Sequence, residues 1–232
     1  MFNTEYFQFN WSDQSGIFDP EGFPDGITLI GLGGIGASLL PFLVTLGIRK
    51  FVIYDPDRVE PRNTSSQLLY KPEDTGRSKA DVCAEYIDAY SAGQAEVEVH
   101  KELFLAGTEI STAVVISGVD NMDARRGIWS AIERQADTVQ LYIDGRIGGV
   151  KYNCLIVDMI EDYGWYGDKW LGDNSAPLPC AQRAIVYPSG ALACTILNTV
   201  VQWAAGEVLP RRVYEDKGNW GTQVVWKPKK KG

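Results

Sequence analysis

An apolar run breaks into Gly31-Leu32-Gly33-Gly34-Ile35-Gly36, and a second apolar run ends on Ile53-Tyr54-Asp55-Pro56-Asp57. A glycine-rich turn followed by an acidic strand end is what a βαβ unit needs to hold a nucleotide. Gly31 permits the tight turn, Gly33 lets the backbone approach a phosphate, and Gly36 lets the helix pack close to the strand. The helix that follows points its N-terminal amides at the anion. Asp55 then closes the second strand, where a carboxylate accepts hydrogen bonds from ribose hydroxyls. The bland alternative for Asp55 is the cap of a neighbouring helix. By itself the pattern serves hydride chemistry with a dinucleotide as readily as phosphoryl chemistry with ATP.

Polar residues crowd the chain just after Asp55, in Asp57-Arg58-Val59-Glu60-Pro61-Arg62-Asn63-Thr64-Ser65-Ser66-Gln67. Gly76-Arg77-Ser78-Lys79-Ala80 follows, and Ser117-Gly118-Val119-Asp120-Asn121-Met122-Asp123-Ala124-Arg125 comes directly after a run of small and β-branched residues. Taken together, these segments resemble the ubiquitin-activating-enzyme-like adenylyltransferases, the superfamily of the ThiF, MoeB and HesA proteins. That family carries an Asp-x-Asp-x-Val-Glu strand end, an Asn-Leu-x-Arg-Gln stretch, a Gly-x-x-Lys helix start and an Asp-Asn-x-Asp-x-Arg segment. The likeness extends over residues 28–206.

The resemblance implies a role for each matching position. The backbone at Gly31, Gly33, Gly34 and Gly36 would seat the nucleotide phosphates, and Asp55 would take the ribose with Asp57 in support. Asn63 and Gln67 match the family's polar positions near the phosphates. Lys79 would neutralise the β- and γ-phosphates, while Asp120, followed by Asn121, would hold Mg²⁺. Cys180, in Leu178-Pro179-Cys180-Ala181, matches the family's acyl-accepting cysteine. The implied reaction is attack by the C-terminal carboxylate of a small ubiquitin-like or sulfur-carrier protein, ending in Gly-Gly, on the α-phosphate of ATP. ATP and Mg²⁺ are the cofactors implied, without zinc, and the default assembly is a homodimer. Each residue keeps a bland alternative: Lys79 as a solvated helix residue, Asp120 as an N-cap, Cys180 as an ordinary loop cysteine.

Three features depart from the family pattern. Ser66 stands where the family has a phosphate-contacting Arg, so one hydroxyl replaces a five-donor cation unless Arg62 or Arg77 reaches in. The Cys-x-x-Cys pairs that hold zinc in many members are absent, and residues 1–26 contain no Lys or Arg. Two other functions therefore stay open: a catalytically weak E1-like subunit that binds nucleotide or a partner, and an NAD-dependent oxidoreductase.

The elements that must position these residues follow from periodicity. Residues 27–30 and 50–54 read as strands flanking a helix over 34–46, with Pro41 a kink or a first-turn residue. Helices are expected at 76–90, 123–135 and 188–206, and strands at 96–100, 113–117, 139–144 and, running back antiparallel, 150–158. The stretch 161–182 reads as a loop. Alternating strands and helices imply a Rossmann-like α/β fold, mostly parallel and covered on both faces, with antiparallel strands toward the C-terminal half. Three segments are expected: an irregular N-terminal arm (1–26), the E1-like adenylation domain (27–210) and a C-terminal extension with a basic tail (211–232).

Composition narrows the partners. The formal net charge of −8 argues against nucleic acid, and the terminal Lys227-Pro228-Lys229-Lys230-Lys231 reads as a solvated tail. Four dispersed cysteines suit a reducing, cytoplasmic setting. Cys83 and Cys194 are expected on apolar helix faces and Cys154 in a strand, all three in the core. The single histidine, His100, makes a Ser-His-Asp hydrolase improbable. No secretory signal opens the sequence. The uncharged stretches 27–48 and 184–206 contain Gly, Pro or Asn breaks that suit buried core elements rather than membrane spans.

Overall fold

Short β-branched and aromatic runs alternate with amphipathic segments, and the resulting strands build a single sheet. In the computed structural model, which describes residues 10–23, 26–160, 163–172 and 185–226, the strands are β1 (Ile27–Ile30), β2 (Lys50–Tyr54), β3 (Glu96–His100), β4 (Val114–Ser117), β5 (Leu141–Gly148), β6 (Lys151–Asp158), β7 (Arg212–Asp216) and β8 (Gly221–Val225). The helices are α1 (Gly34–Leu46), α2 (Lys79–Tyr90), α3 (Met122–Arg134), α4 (Gly164–Trp170) and α5 (Val186–Ala204). The strand order is β3-β2-β1-β4-β5-β6-β7-β8. Pairing is parallel from β3 through β5 and antiparallel from β5 through β8.

The change of direction has a local cause. Gly148 of β5 pairs with Lys151 of β6, so only Gly149 and Val150 join the two strands. Gly149 takes a positive φ of 61°. A two-residue turn of this kind closes a hairpin, whereas a parallel return needs a crossover of a dozen or more residues.

The two faces of the sheet are covered by different helices. Ile27, Leu29, Phe51, Ile53, Val114 and Ile116 point toward α1, α2 and α5, where Leu40, Ile87 and Ile196 meet them. Ile30, Val52, Val115 and Tyr142 point the other way, toward Ile128 and Trp129 of α3 and Tyr166 of α4. A fully buried Leu or Ile of this sort contributes about 1.5–3 kcal/mol. From the N-terminal arm, Phe18 is buried in the first of these clusters, and Gln14 Nε2 donates to the Leu46 carbonyl at 2.8 Å.

The first three elements, β1, α1 and β2, have the bounds read from sequence, and several others differ for identifiable reasons. Helix α2 begins at Lys79 rather than Gly76, because Ser78 is held in a bridge to Arg58. Pro41 lies well inside α1 without ending it. Strand β5 runs past Asp144 to Gly148, carried on by its hairpin with β6. Within the stretch expected to be a loop, residues 164–170 form α4, which packs Tyr166 into the core. Cys83 and Cys154 are buried as expected, but Cys194 is exposed. The buried stripe of α5 runs through Ser189, Leu192, Ala193, Ile196 and Val200, and Cys194 falls off it. Among the described residues no helix is long and apolar enough to cross a membrane.

Candidate functional site

The strand order reverses on either side of β1, whose neighbours are β2 and β4, so a crevice opens beyond the carboxyl ends of β1 and β4. The glycine turn lies there. The Gly31 amide donates to the Tyr54 carbonyl, and the Gly118 amide to the Ile30 carbonyl, both at 2.8 Å. Gly31 has a φ of +88°, and a Cβ on it would press on the Gly118 backbone at 3.1 Å. A Cβ on Gly36 would overlap the Gly31 carbonyl oxygen, so the close helix–strand packing expected of this glycine is present. Gly33 is different, because a Cβ there meets nothing within 4 Å. It borders open space at the start of α1, the kind of cradle a phosphate fills and a side chain would obstruct. Gly34, next along, faces Ser189 of α5, whose Oγ would lie 3.0 Å from an added Cβ.

A string of hydrogen bonds joins this turn to Lys79. Asp55 is only 4% exposed. Its Oδ2 accepts the Leu32 amide at 2.6 Å and its Oδ1 the Asp57 amide at 2.8 Å. Burial raises its pKa above the usual carboxylate value, and the nearby Lys79 charge and the two amides oppose that rise. Each oxygen keeps a second lone pair, the capacity a ribose hydroxyl would use. Asp57 in turn pairs with Lys79, Oδ2 to Nζ, at 2.9 Å. Lys79 is 5% exposed while the Asp57 side chain is 65% exposed, so the cation is sunk in the wall and its partner reaches into solvent. Lys79 is thus no solvated helix residue.

The polar run folds over the same wall. Asn63 is buried and its Oδ1 accepts the Glu60 amide at 2.8 Å, which shapes a short 3-10 helix over Pro61–Ser65. Gln67 follows, with a buried Oε1 that has no hydrogen-bond partner among the described residues. Ser66 donates to the Arg62 carbonyl at 3.0 Å. Arg62 pairs with Glu60 at 2.5 Å, and Arg77 is engaged by Asp74 and Glu85.

Across the crevice, Asp120 is exposed just beyond β4, and its Oδ1 accepts from the Asn121 side-chain amide at 3.4 Å. Asn121, not Asp120, caps α3: its Oδ1 accepts the Ala124 amide at 2.8 Å. Among the described residues no three His, Cys, Asp or Glu side chains converge on a possible metal position. A lone exposed carboxylate beside a phosphate cradle nevertheless fits Mg²⁺, which is usually bound by one or two carboxylates plus substrate phosphates. Cys180 lies outside the described residues. His100 stacks on Tyr54 at 4.1 Å and pairs with Glu98 at 2.7 Å on the outer strand β3.

One cluster behind Asp120 was not singled out from the sequence. Asp144 is fully buried and accepts from Arg125 Nε at 3.1 Å, Arg146 Nε at 2.6 Å and the Tyr166 hydroxyl at 2.8 Å. Arg125 also donates to the Val119 carbonyl, which anchors the loop leading to Asp120. The sequence signal was present in part, since Arg125 closes the Asp-Asn-x-Asp-x-Arg segment. Nothing local marked Asp144 as its partner.

A model of the ThiF family matches residues 25–159, and the chain belongs to that family. It is similar to the NEDD8-activating enzyme E1 catalytic subunit of Dictyostelium discoideum, at 27% identity over 197 residues, covering 77% of this chain and 41% of that protein. Likeness to the Caenorhabditis elegans subunit of the same description is 31% over 144 residues, covering 56% and 33%. The chain thus spans less than half the length of either relative. Solved structures with the same fold include PaaA, with a TM-score of 0.70 and 19% identity over 90% of this chain and 67% of that one. E. coli MccB matches at 0.72 and 15% over 90% and 65%, and it has also been solved with ATP.

Proposed function

We propose that this chain binds ATP in the crevice between β1 and β4 and adenylates the C-terminal carboxylate of a small ubiquitin-like or sulfur-carrier protein. The observation that carries the reading is the string Lys79–Asp57–Asp55–Leu32, which couples a buried cation to the glycine turn. The Gly33 and Gly34 backbone would receive the phosphates, Asp55 the ribose, and Lys79 the charge that builds on the leaving pyrophosphate. Mg²⁺ held between Asp120 and the phosphates would add further charge neutralisation. A carboxylate oxygen of the carrier attacks the α-phosphorus, the bond to the β-bridging oxygen breaks, and acyl-adenylate and pyrophosphate result. Such a step rests on positioning and charge, not on a general base, which suits the carboxylates of Asp55, Asp57 and Asp120 and the buried cation of Lys79. Membership of the ThiF family favours ATP over a nicotinamide dinucleotide.

ATP–pyrophosphate exchange in the presence of small carriers ending in Gly-Gly tests this. The wild-type chain is expected to bind ATP more tightly than NAD and to exchange with a cognate carrier. Lys79→Met keeps the buried stem and removes the charge, and should lower exchange about 100-fold, the scale of one lost transition-state contact. Tighter binding of NAD than of ATP would overturn the reading.

A further inference from the structure

Tyr70 lies three residues beyond Gln67, the end of the polar run, and its side chain is buried in the core. Its hydroxyl donates to the Leu32 carbonyl at 2.6 Å and lies 3.6 Å from Cys83 Sγ. The Leu32 amide, on the other side of the same residue, donates to Asp55 Oδ2 at 2.6 Å. Both backbone polar groups of Leu32 are therefore held by side chains from outside the turn. No peptide bond here is cis, so the carbonyl of Leu32 and the amide of Gly33 point in opposite directions across one rigid plane. Drawing that carbonyl down to a buried hydroxyl turns the Gly33 amide away from that hydroxyl, and Gly33 itself is uncrowded, since a Cβ there would meet nothing within 4 Å.

We propose that Tyr70 is a positioning residue for the phosphate cradle: its hydroxyl and the Asp55 carboxylate lock the peptide planes on both sides of Leu32 and so present the Gly33 amide to a nucleotide phosphate. This rests on the ATP reading of the crevice. A loop left free would have to lose its conformational freedom when the phosphate binds, and prior locking removes that loss from the binding step. Burial raises the Tyr70 pKa, so the hydroxyl stays a donor at any working pH. Cys83 is likewise kept a thiol, pushed up to about 12 by burial.

Tyr70→Phe removes one oxygen and keeps the ring. Calorimetric titration of wild-type and variant chains with ATP and with adenosine separates positioning from packing. The variant is expected to bind ATP about tenfold more weakly, equivalent to about 1.4 kcal/mol, with adenosine binding unchanged. Amide hydrogen exchange over residues 32–36 should accelerate in the variant while the core strands stay protected, a readout that needs no ligand. Undiminished ATP binding by Tyr70→Phe, equal losses for ATP and adenosine, or unaltered exchange in the turn would overturn the role of Tyr70. Absence of ATP binding by the wild-type chain would instead overturn the reading of the crevice itself.

Discussion

Two buried carboxylates flank the central strands β1 and β4, Asp55 after β2 on one side and Asp144 within β5 on the other, and they are held in opposite ways. Asp55 is met by the backbone amides of Leu32 and Asp57. Asp144 is met by side chains: Arg125, Arg146, Tyr166 and, at 3.3 Å, Ser117. The first arrangement sets the course of two loops and leaves the space beside Gly33 open for a ligand. The second has no such opening. Arg125 comes from α3, Ser117 from β4 and Tyr166 from α4, so one carboxylate ties three elements to β5. Amides that direct a loop build a site; cations that close on an anion build a scaffold behind it.

Breaking the scaffold should cost most. Asp144→Ala strands the Arg125 and Arg146 charges in the interior and is expected to destabilise the fold by about 3–5 kcal/mol in urea unfolding. Asp55→Asn tests the other carboxylate more gently. The Leu32 and Asp57 amides use different oxygens of Asp55, and Asn replaces one of them with an NH2 donor that faces a backbone N–H, so a loss of about 1–3 kcal/mol is expected. The pH dependence sharpens the contrast. Asp55 has a folded pKa raised by burial above the ordinary value of 3.8, so the folded state binds more protons than the unfolded one between those two values. Wild-type stability relative to Asp55→Asn should therefore fall as pH rises through that window and level off above the raised value. Thermal unfolding of both proteins across the acid range checks the sign.

The smallest effect on folding is expected at Gly33. Gly33→Ala adds a methyl group to open space, so stability should change by less than about 0.5 kcal/mol. Titration with ATP should nevertheless show weakened binding, because the methyl occupies the cradle. A large loss of stability with normal ATP affinity would reverse the distinction between site and scaffold drawn from the two carboxylates.

The parallel half of the sheet was legible because each signal there is local. The stretch 27–30, the glycine turn, the apolar helix 34–46 and the run 50–54 declare themselves by period and by glycine spacing, and their bounds agree with the structure. Elsewhere the local signal is weak. Every residue of β8 is exposed, and the first four of β7 are only half-buried, so no apolar alternation marks either strand. Helix α4 is short and lies in a stretch dense in Gly, Asp and Trp, and its packing partners Trp129 and Tyr142 are distant in sequence.

The same division runs through the site. Residue types and spacing alone pointed to the glycine turn and Asp55, because a phosphate cradle demands particular backbone freedom and charge within one βαβ unit, and the resemblance to the adenylyltransferase superfamily added Lys79 and Asp120 as expectations. Tertiary structure alone decided how they are wired: Asp55 to Leu32, Asp57 to Lys79, Tyr70 to the Leu32 carbonyl, and Asn121 rather than Asp120 to the α3 cap. Those choices depend on which polar groups lose water together in the core. Each buried donor or acceptor must find a partner there, and the partner it finds is set by packing across the sheet, not by distance along the chain.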